Sequence, residues 1–227
     1  MPVFRELQIL DDPIPRSGPE NMAVDEALLR SSPMNPILRI YNWESDWISF
    51  GYFQKFNEIE AQVGSGPQLI RRWTGGGIVD HRYDRTYTLI VPRGLPLARD
   101  RPSESYQTIH RAFTPTLEAN GITASLADSN FAPEPNQCFA AGGGHSHLDV
   151  LVNSRKVAGA AQRRGRYGLL HQGSVQLDPW PDELLFDRFA ENLAESVVRL
   201  EIDQEIEFEA TQLSKERYGL ESWLKRR

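Results

Sequence analysis

This 227-residue chain has no second cysteine to pair with Cys138. An intramolecular disulfide is therefore impossible and a thiolate-only metal site is excluded, so a reducing compartment is the expected setting. No stretch approaches the roughly 18 consecutive apolar residues of a membrane-spanning helix. Met1 is followed by Pro2-Val3-Phe4-Arg5-Glu6, without the basic start and apolar core of a signal peptide. The expectation is a cytoplasmic protein that makes no use of a membrane. An excess of positive charge is missing too, since 25 Lys+Arg stand against 31 Asp+Glu for a net charge of -6. General nucleic-acid binding, which rests on phosphate neutralisation, is thereby disfavoured.

With 40% hydrophobic and 25% charged residues, the composition is that of a globular protein able to bury a sizeable core. Local charge departs from the average between Arg155 and Arg166, where Arg155, Lys156, Arg163, Arg164 and Arg166 occur with no acid among them. Periodicity predicts strands at Phe4 to Leu10, Ile37 to Trp43, Trp47 to Tyr52, Gln68 to Trp73, Thr86 to Val91, Leu148 to Val152, Lys156 to Gln162 and Leu169 to Leu177. Helices are expected from Pro19 to Arg30 behind a Ser17-x-x-Glu20 capping box, and around Lys55 to Val63. Three more are expected at Ser103 to Asn120, Pro181 to Arg199 and Glu209 to Leu224. Strands that come in adjacent pairs as well as alternating with helices predict an α+β fold, a mixed and largely antiparallel sheet flanked by helices. No Ser/Gly/Pro-rich linker divides the chain, so residues 1–227 read as one domain.

Four segments hold residues suited to chemistry. In Arg71-Arg72-Trp73-Thr74-Gly75-Gly76-Gly77-Ile78-Val79-Asp80-His81, three glycines between strands permit positive φ angles and let a ligand touch backbone. A flexible hairpin turn is the alternative there. No Gly-Lys-Ser/Thr follows and the Gly-x-Gly-x-x-Gly spacing is absent, so it is no nucleotide phosphate loop. In Arg155-Lys156-Val157-Ala158-Gly159-Ala160-Ala161-Gln162, an ammonium enters a strand of small residues, where it could reach a carbonyl or carboxylate. The alternative is a hairpin flanked by solvated cations. Cys138 lies 18 positions before Lys156 (156 − 138 = 18), just ahead of Gly142-Gly143-Gly144. It is either a small buried hydrophobe or a thiol that a nearby cation activates. His171, in Leu170-His171-Gln172-Gly173, could orient a ligand or serve only the core. His145 and His147 lack a third ligand, so no metal is expected.

In this order the segments resemble the lipoate-protein ligase and lipoyl/octanoyl transferase family, which shares its catalytic fold with biotin protein ligases. Asn21-Met22-Ala23-Val24-Asp25-Glu26-Ala27-Leu28, Leu38-Arg39-Ile40-Tyr41 and Ser49-Phe50-Gly51-Tyr52-Phe53-Gln54 are similar to its first helix and strands. Arg71-Arg72 with Thr74-Gly75-Gly76-Gly77 and His81 is similar to its ligand loop, and Lys156-Val157-x-Gly159-x-Ala161 to its lysine strand. The resemblance implies an octanoyl or lipoyl chain between glycine loop and lysine strand, with Arg71, Arg72, Thr74, Gly75, Gly76, Gly77, His81, Gly159, Ala160, Ala161 and His171 around it.

Cys138-Phe139 stands where the cysteine-dependent transferases have their Cys-Phe pair. The resemblance thus implies attack by Cys138 on an acyl thioester, with Lys156 polarising the carbonyl and no cofactor required. The acyl group would pass to the lysine of a lipoyl-domain protein, either a glycine cleavage H protein or a 2-oxoacid dehydrogenase E2, with an acyl carrier protein as the possible donor. Arg155, Arg163, Arg164 and Arg166 would dock these acidic carriers. The alternatives are an ATP- and Mg2+-dependent lipoate ligase and a non-catalytic lipoate or carrier binder, the latter kept open by Ala160 and Arg82, which depart from the family pattern. Biotin ligation lacks its expected Gly-Arg-Gly-Arg loop. The chain's end after two helices implies that no C-terminal accessory domain follows.

Overall fold

The entering strand is longer than its apolar alternation predicts. It spans Phe4–Arg16 (β1) because Asp11 and Asp12 go on pairing, with Ile40 and Tyr41 of the next strand. The computed structural model describes residues 2–128 and 148–226. After β1 come α1 (Gly18–Arg30), β2 (Ile37–Trp43), β3 (Trp47–Phe50), α2 (Phe56–Val63), β4 (Gln68–Arg71), β5 (Ile78–Asp80) and β6 (Arg85–Pro92). They are followed by α3 (Pro102–Arg111), α4 (Phe113–Glu118), β7 (Ala124–Leu126), β8 (Val150–Val152), β9 (Arg155–Gly165) and β10 (Gly168–Val175). The chain then forms α5 (Leu185–Leu193), β11 (Ala194–Arg199), α6 (Gln204–Leu213), a π-helical turn at Ser214–Tyr218, and α7 (Glu221–Leu224).

The capping box predicted for α1 is present in both directions, with Ser17 capping the Glu20 N–H and the Glu20 carboxylate capping the Ser17 N–H. The helix predicted from Ser103 to Asn120 is broken at Ala112. Pro115 cannot donate to the Arg111 carbonyl and its ring crowds that turn. The helix predicted from Pro181 to Arg199 ends at Leu193. Beyond it, Ala194 turns extended and Ser196-Val197-Val198 adds β11 in parallel to β1, a pairing that gives the β-branched Val197 and Val198 a place in the sheet.

Eight strands form one sheet in the order β11-β1-β2-β6-β10-β9-β8-β7, and three form a second in the order β4-β3-β5. Pairing is antiparallel except for β1 with β11 and β2, and β3 with β4, so the mixed, largely antiparallel prediction holds. One face of the large sheet packs on α3, α4 and α5 through Ile109, Phe113, Leu117, Phe186 and Phe189. The other packs on α1 and α6 through Met22, Val24, Leu28, Ile206 and Ala210. The small sheet lies beside α1 on this second face, with Trp47 and Ile70 in the same apolar cluster. Among the described residues, no helix is long and apolar enough to cross a membrane.

Arg39 of β2 ties these layers together from a fully buried position. Its guanidinium donates to Asp12 at 2.8 Å, to Asp25 at 2.7 Å, and to both the side-chain and backbone oxygens of Asn21. The other oxygen of Asp25 accepts from Tyr41, Thr88 and, at 2.7 Å, from the Gln172 amide. Buried charge is tolerated here because both carboxylates and the cation are hydrogen-bonded.

Candidate functional site

A cavity of about 630 Å3, counting its open mouth, lies between the small sheet and the large one. Ser49, Arg72, Gly76, Gly77, Ile78 and His81 line it from the small-sheet side; Tyr41, Trp43, Gln172, Ser174, Lys156, Gly159 and Ala161 line it from the large sheet.

β4 and β5 flank β3, so the glycine segment must cross the end of β3 to join them. Close approach is built into this crossing. A Cβ on Gly51 would lie 2.0 Å from the Gly76 carbonyl oxygen, and Gly76 itself has φ +86. A Cβ on Gly76 would come within 3.3 Å of the Ala161 methyl, which brings the glycine loop against β9, as the family resemblance implies. Arg72 holds the loop from inside, donating to the carbonyls of Gly75 and Gly77 at 3.0 and 2.9 Å. Burial pulls its guanidinium down to about 10, which leaves it charged at neutral pH. Thr74 fixes the loop from outside through a 2.7 Å bond to Gln172, so the loop hangs on the Arg39–Asp25 network.

Lys156 reaches this face through a bulge. Pairing of β9 with β8 passes from Val150↔Ala158 to Leu151↔Lys156, which leaves Val157 as an extra residue. Val157 and Ala158 both enter the apolar core, while Lys156 lines the cavity with Gly159 and Ala161. Strict alternation would have set Lys156 on the face opposite Gly159. Its ammonium lies 2.6 Å from Asp149 Oδ2, and Asp149 Oδ1 accepts from Tyr106 at 2.8 Å. The Tyr106 hydroxyl also takes the Ala160 N–H, locking α3 to β9. A Cβ at Gly159 would sit 2.6 Å from Lys156 Cε and 2.8 Å from Nζ, so glycine makes room for the ammonium.

Other expected site residues are placed elsewhere. Arg71 is fully buried and donates to the carbonyls of Tyr52, Gln54, Trp223 and Leu224, pinning α7 to the small sheet instead of facing the cavity. Thr74 and Gly75 shape the loop without being part of the cavity wall, and Ala160 lines it. His171 points to the opposite face of β10, where Gln162 donates to its Nδ1 and its Nε2 meets the Tyr87 hydroxyl at 3.0 Å. Its neighbour Gln172 is the one that faces the cavity, as alternation along a strand requires.

The four docking arginines do not form one surface. Arg163 stacks on Trp73 and Tyr52, whereas Arg164 bonds Ser105 and Gln162 across the sheet. Arg155 and Arg166 are exposed at opposite ends of β9, on the order of 30 Å apart at about 3.3 Å per residue. Cys138, His145 and His147 lie outside the described residues. Among the described residues, no group of three or more His, Cys, Asp or Glu could hold a metal ion.

Ser49, Asp84 and Asp149, which the expected set leaves out, join the expected His81 and Lys156 in the site. Asp149 is an acid directly ahead of the apolar strand β8, a signal the sequence offers. Ser49, His81 and Asp84 come together only in three dimensions. The Ser49 hydroxyl is 2.6 Å from His81 Nε2, and His81 Nδ1 is 2.8 Å from Asp84 Oδ2. Trp43 stacks on the His81 ring at 3.9 Å.

Residues 17–217 match the family described as the lipoyl protein ligase A/B catalytic domain. The chain belongs to this family. It is 36% identical over 179 residues to octanoyltransferase LipM of Carboxydothermus hydrogenoformans, a match covering 74% of this chain and 64% of the relative. To LipM of Staphylococcus aureus it is 34% identical, covering 74% of this chain and 65% of that one. The chain thus spans a little under two thirds of the length of these relatives. A Thermoplasma acidophilum protein solved with bound lipoic acid aligns with 98% of this chain and all of its own, at 22% identity and a TM-score of 0.79. A bipartite lipoate protein ligase from the same organism, from a study with its E2 lipoyl domain, aligns with 97% of this chain and 96% of its own, at 21% identity and a TM-score of 0.74. These two likenesses show that the family's fold is kept.

Burial on the far face of the large sheet has a pH consequence. It lowers His110 to about 4 and holds His171 well below the usual histidine range, so both are neutral in the folded protein near pH 6. The unfolded chain binds more protons than the folded one below about pH 6.5, so stability falls as pH drops through that window toward 4. His110 alone is expected to cost about 2 kcal/mol between pH 7 and pH 5. Denaturant titration at the two pH values measures the loss, and His110→Phe should reduce it.

Proposed function

We propose that this protein transfers an octanoyl group from a carrier thioester to the lysine of a lipoyl-domain protein, through an acyl-enzyme on Cys138. The observation that carries the reading is the Lys156 ammonium, paired with Asp149 and seated over Gly159 on a cavity whose other wall is the glycine loop. The LipM relatives supply the choice of octanoyl transfer within the family.

The acyl chain would lie between the glycine loop and Ala161, with its carbonyl toward Lys156. The ammonium then offsets negative charge on the thiolate and on the tetrahedral oxyanion. In the sequence, Cys138 precedes Asp149, the carboxylate that orients Lys156, by 11 residues (149 − 138 = 11). Arg163 lies next to the glycine loop, stacked on Trp73 and donating to its carbonyl, and carrier binding there should weaken with salt. The transferase reaction calls for no cofactor.

Incubation with octanoyl carrier should yield an octanoyl adduct that neutral hydroxylamine removes, mapped by peptide mass to Cys138. A wild-type chain bearing no octanoyl group on that peptide would overturn the reading. Product from free lipoate and ATP, retained in Cys138→Ser, would select the ligase.

A further inference from the structure

The deep end of the cavity holds a second set of groups arranged for acyl chemistry. Ser49 Oγ, His81 and Asp84 form a continuous hydrogen-bonded line of 2.6 and 2.8 Å contacts. Arg72 Nη1 donates to Ser49 Oγ at 2.7 Å, so the Ser49 hydroxyl gives its own proton to His81 Nε2. His81 Nδ1 then carries the ring proton and donates it to Asp84, the tautomer a histidine needs to act as a base at Nε2. Asp84 Oδ2 is held as an acceptor by the hydroxyls of Thr86 and Ser174. The Trp43 ring keeps the His81 ring in place by stacking. Ser49 and His81 both line the cavity while being 0% and 7% exposed, so chemistry there would run away from bulk water.

We propose that Ser49, His81 and Asp84 are a nucleophilic triad, with Ser49 a second acyl acceptor for medium-chain thioesters and activated esters. The inference rests on the acyl reading of the cavity but not on Cys138. Ser49 Oγ attacks the carbonyl carbon as its proton passes to His81 Nε2. The C–S or C–O bond to the leaving group then breaks, and that proton departs with the thiol or alcohol. The acyl group remains as a Ser49 ester. Water then gives its proton to His81 Nε2 and attacks the ester carbon, the C–Oγ bond breaks, and the proton returns to Ser49 Oγ as the free acid leaves, so the net reaction is hydrolysis. Arg72 supplies the positive charge beside the developing oxyanion. A serine, a histidine base and a carboxylate orienting it make a triad by their mutual geometry, whatever their order in the chain.

The test uses the full chain and an octyl fluorophosphonate, which forms a stable bond to activated serines and needs no carrier. One label per chain, located on the Ser49 peptide, is the expected result. His81→Asn should slow labelling by about 10^2-fold, the share a general base ordinarily contributes. A wild-type chain with no label at Ser49 would overturn the proposal, and so would labelling that His81→Asn leaves at the wild-type rate. A network that only braces the glycine loop gives the first of these results. Peptide mapping separates the phosphonyl label at Ser49 from the octanoyl adduct at Cys138, so either reading can fail without the other.

Discussion

Lys156→Met is expected to reduce the proposed octanoyl transfer by about 10^3-fold, the scale on which one donor to a developing oxyanion acts. The substitution keeps most of the unbranched apolar stem and removes the terminal ammonium with its charge. Lys156 is 8% exposed and 2.6 Å from Asp149, so its ammonium is held in one place with little water to move aside. Such a preorganised charge acts more strongly than one on a solvated side chain. Lys156→Arg should not restore the rate, because a planar guanidinium does not match the compact site left open by Gly159. Single-turnover transfer from octanoyl carrier to an apo lipoyl domain, followed by mass, measures both variants. Asp149 loses its cation in the Met variant, so thermal unfolding must be recorded beside the rate. A folded Lys156→Met chain with wild-type transfer would remove Lys156 from the reaction.

Arg39→Met carries the largest expected loss of stability, roughly 3–5 kcal/mol. It leaves the Asp25 carboxylate, 0% exposed, without its cation, and leaves Asp12, 3% exposed, with Arg16 alone at 2.9 Å. For a chain of this length the melting temperature should fall by about 10 °C, at 2–4 °C per kcal/mol. Acyl binding should weaken as well. Asp25 holds Gln172, and Gln172 holds Thr74 in the glycine loop, so loosening the network frees the cavity wall. Denaturant unfolding gives the stability, and calorimetric titration with octanoate the second effect. Adding Asp25→Asn to Arg39→Met should recover part of the stability, since one uncompensated charge is removed.

The α1 cap was legible because Ser17, Pro19 and Glu20 act within one turn. Most strands were legible for a similar reason, since apolar alternation is local. The segment after Leu193 was misread as helix because its state depends on the exposed edge of β1, a partner nearly two hundred residues away. Likewise, the charge run from Arg155 to Arg166 reads as one strip in sequence, whereas an extended strand sends alternate residues to opposite faces.

The sequence by itself determined the family, the α+β class, and the meeting of a glycine loop with a lysine strand. The class follows from local alternation, and the family resemblance, which is what implied that meeting, from motifs of residue types taken in order. Only the tertiary structure decided which side chains face the cavity. The bulge at Val157 turns Lys156 toward Gly159, and strand alternation puts Gln172 in the cavity and His171 behind it. Ser49, His81 and Asp84 meet because β3 pairs with β5 and the turn after β5 folds back onto β6 and β10. Facing depends on register, and register is set by pairing across the sheet, which no local spacing encodes.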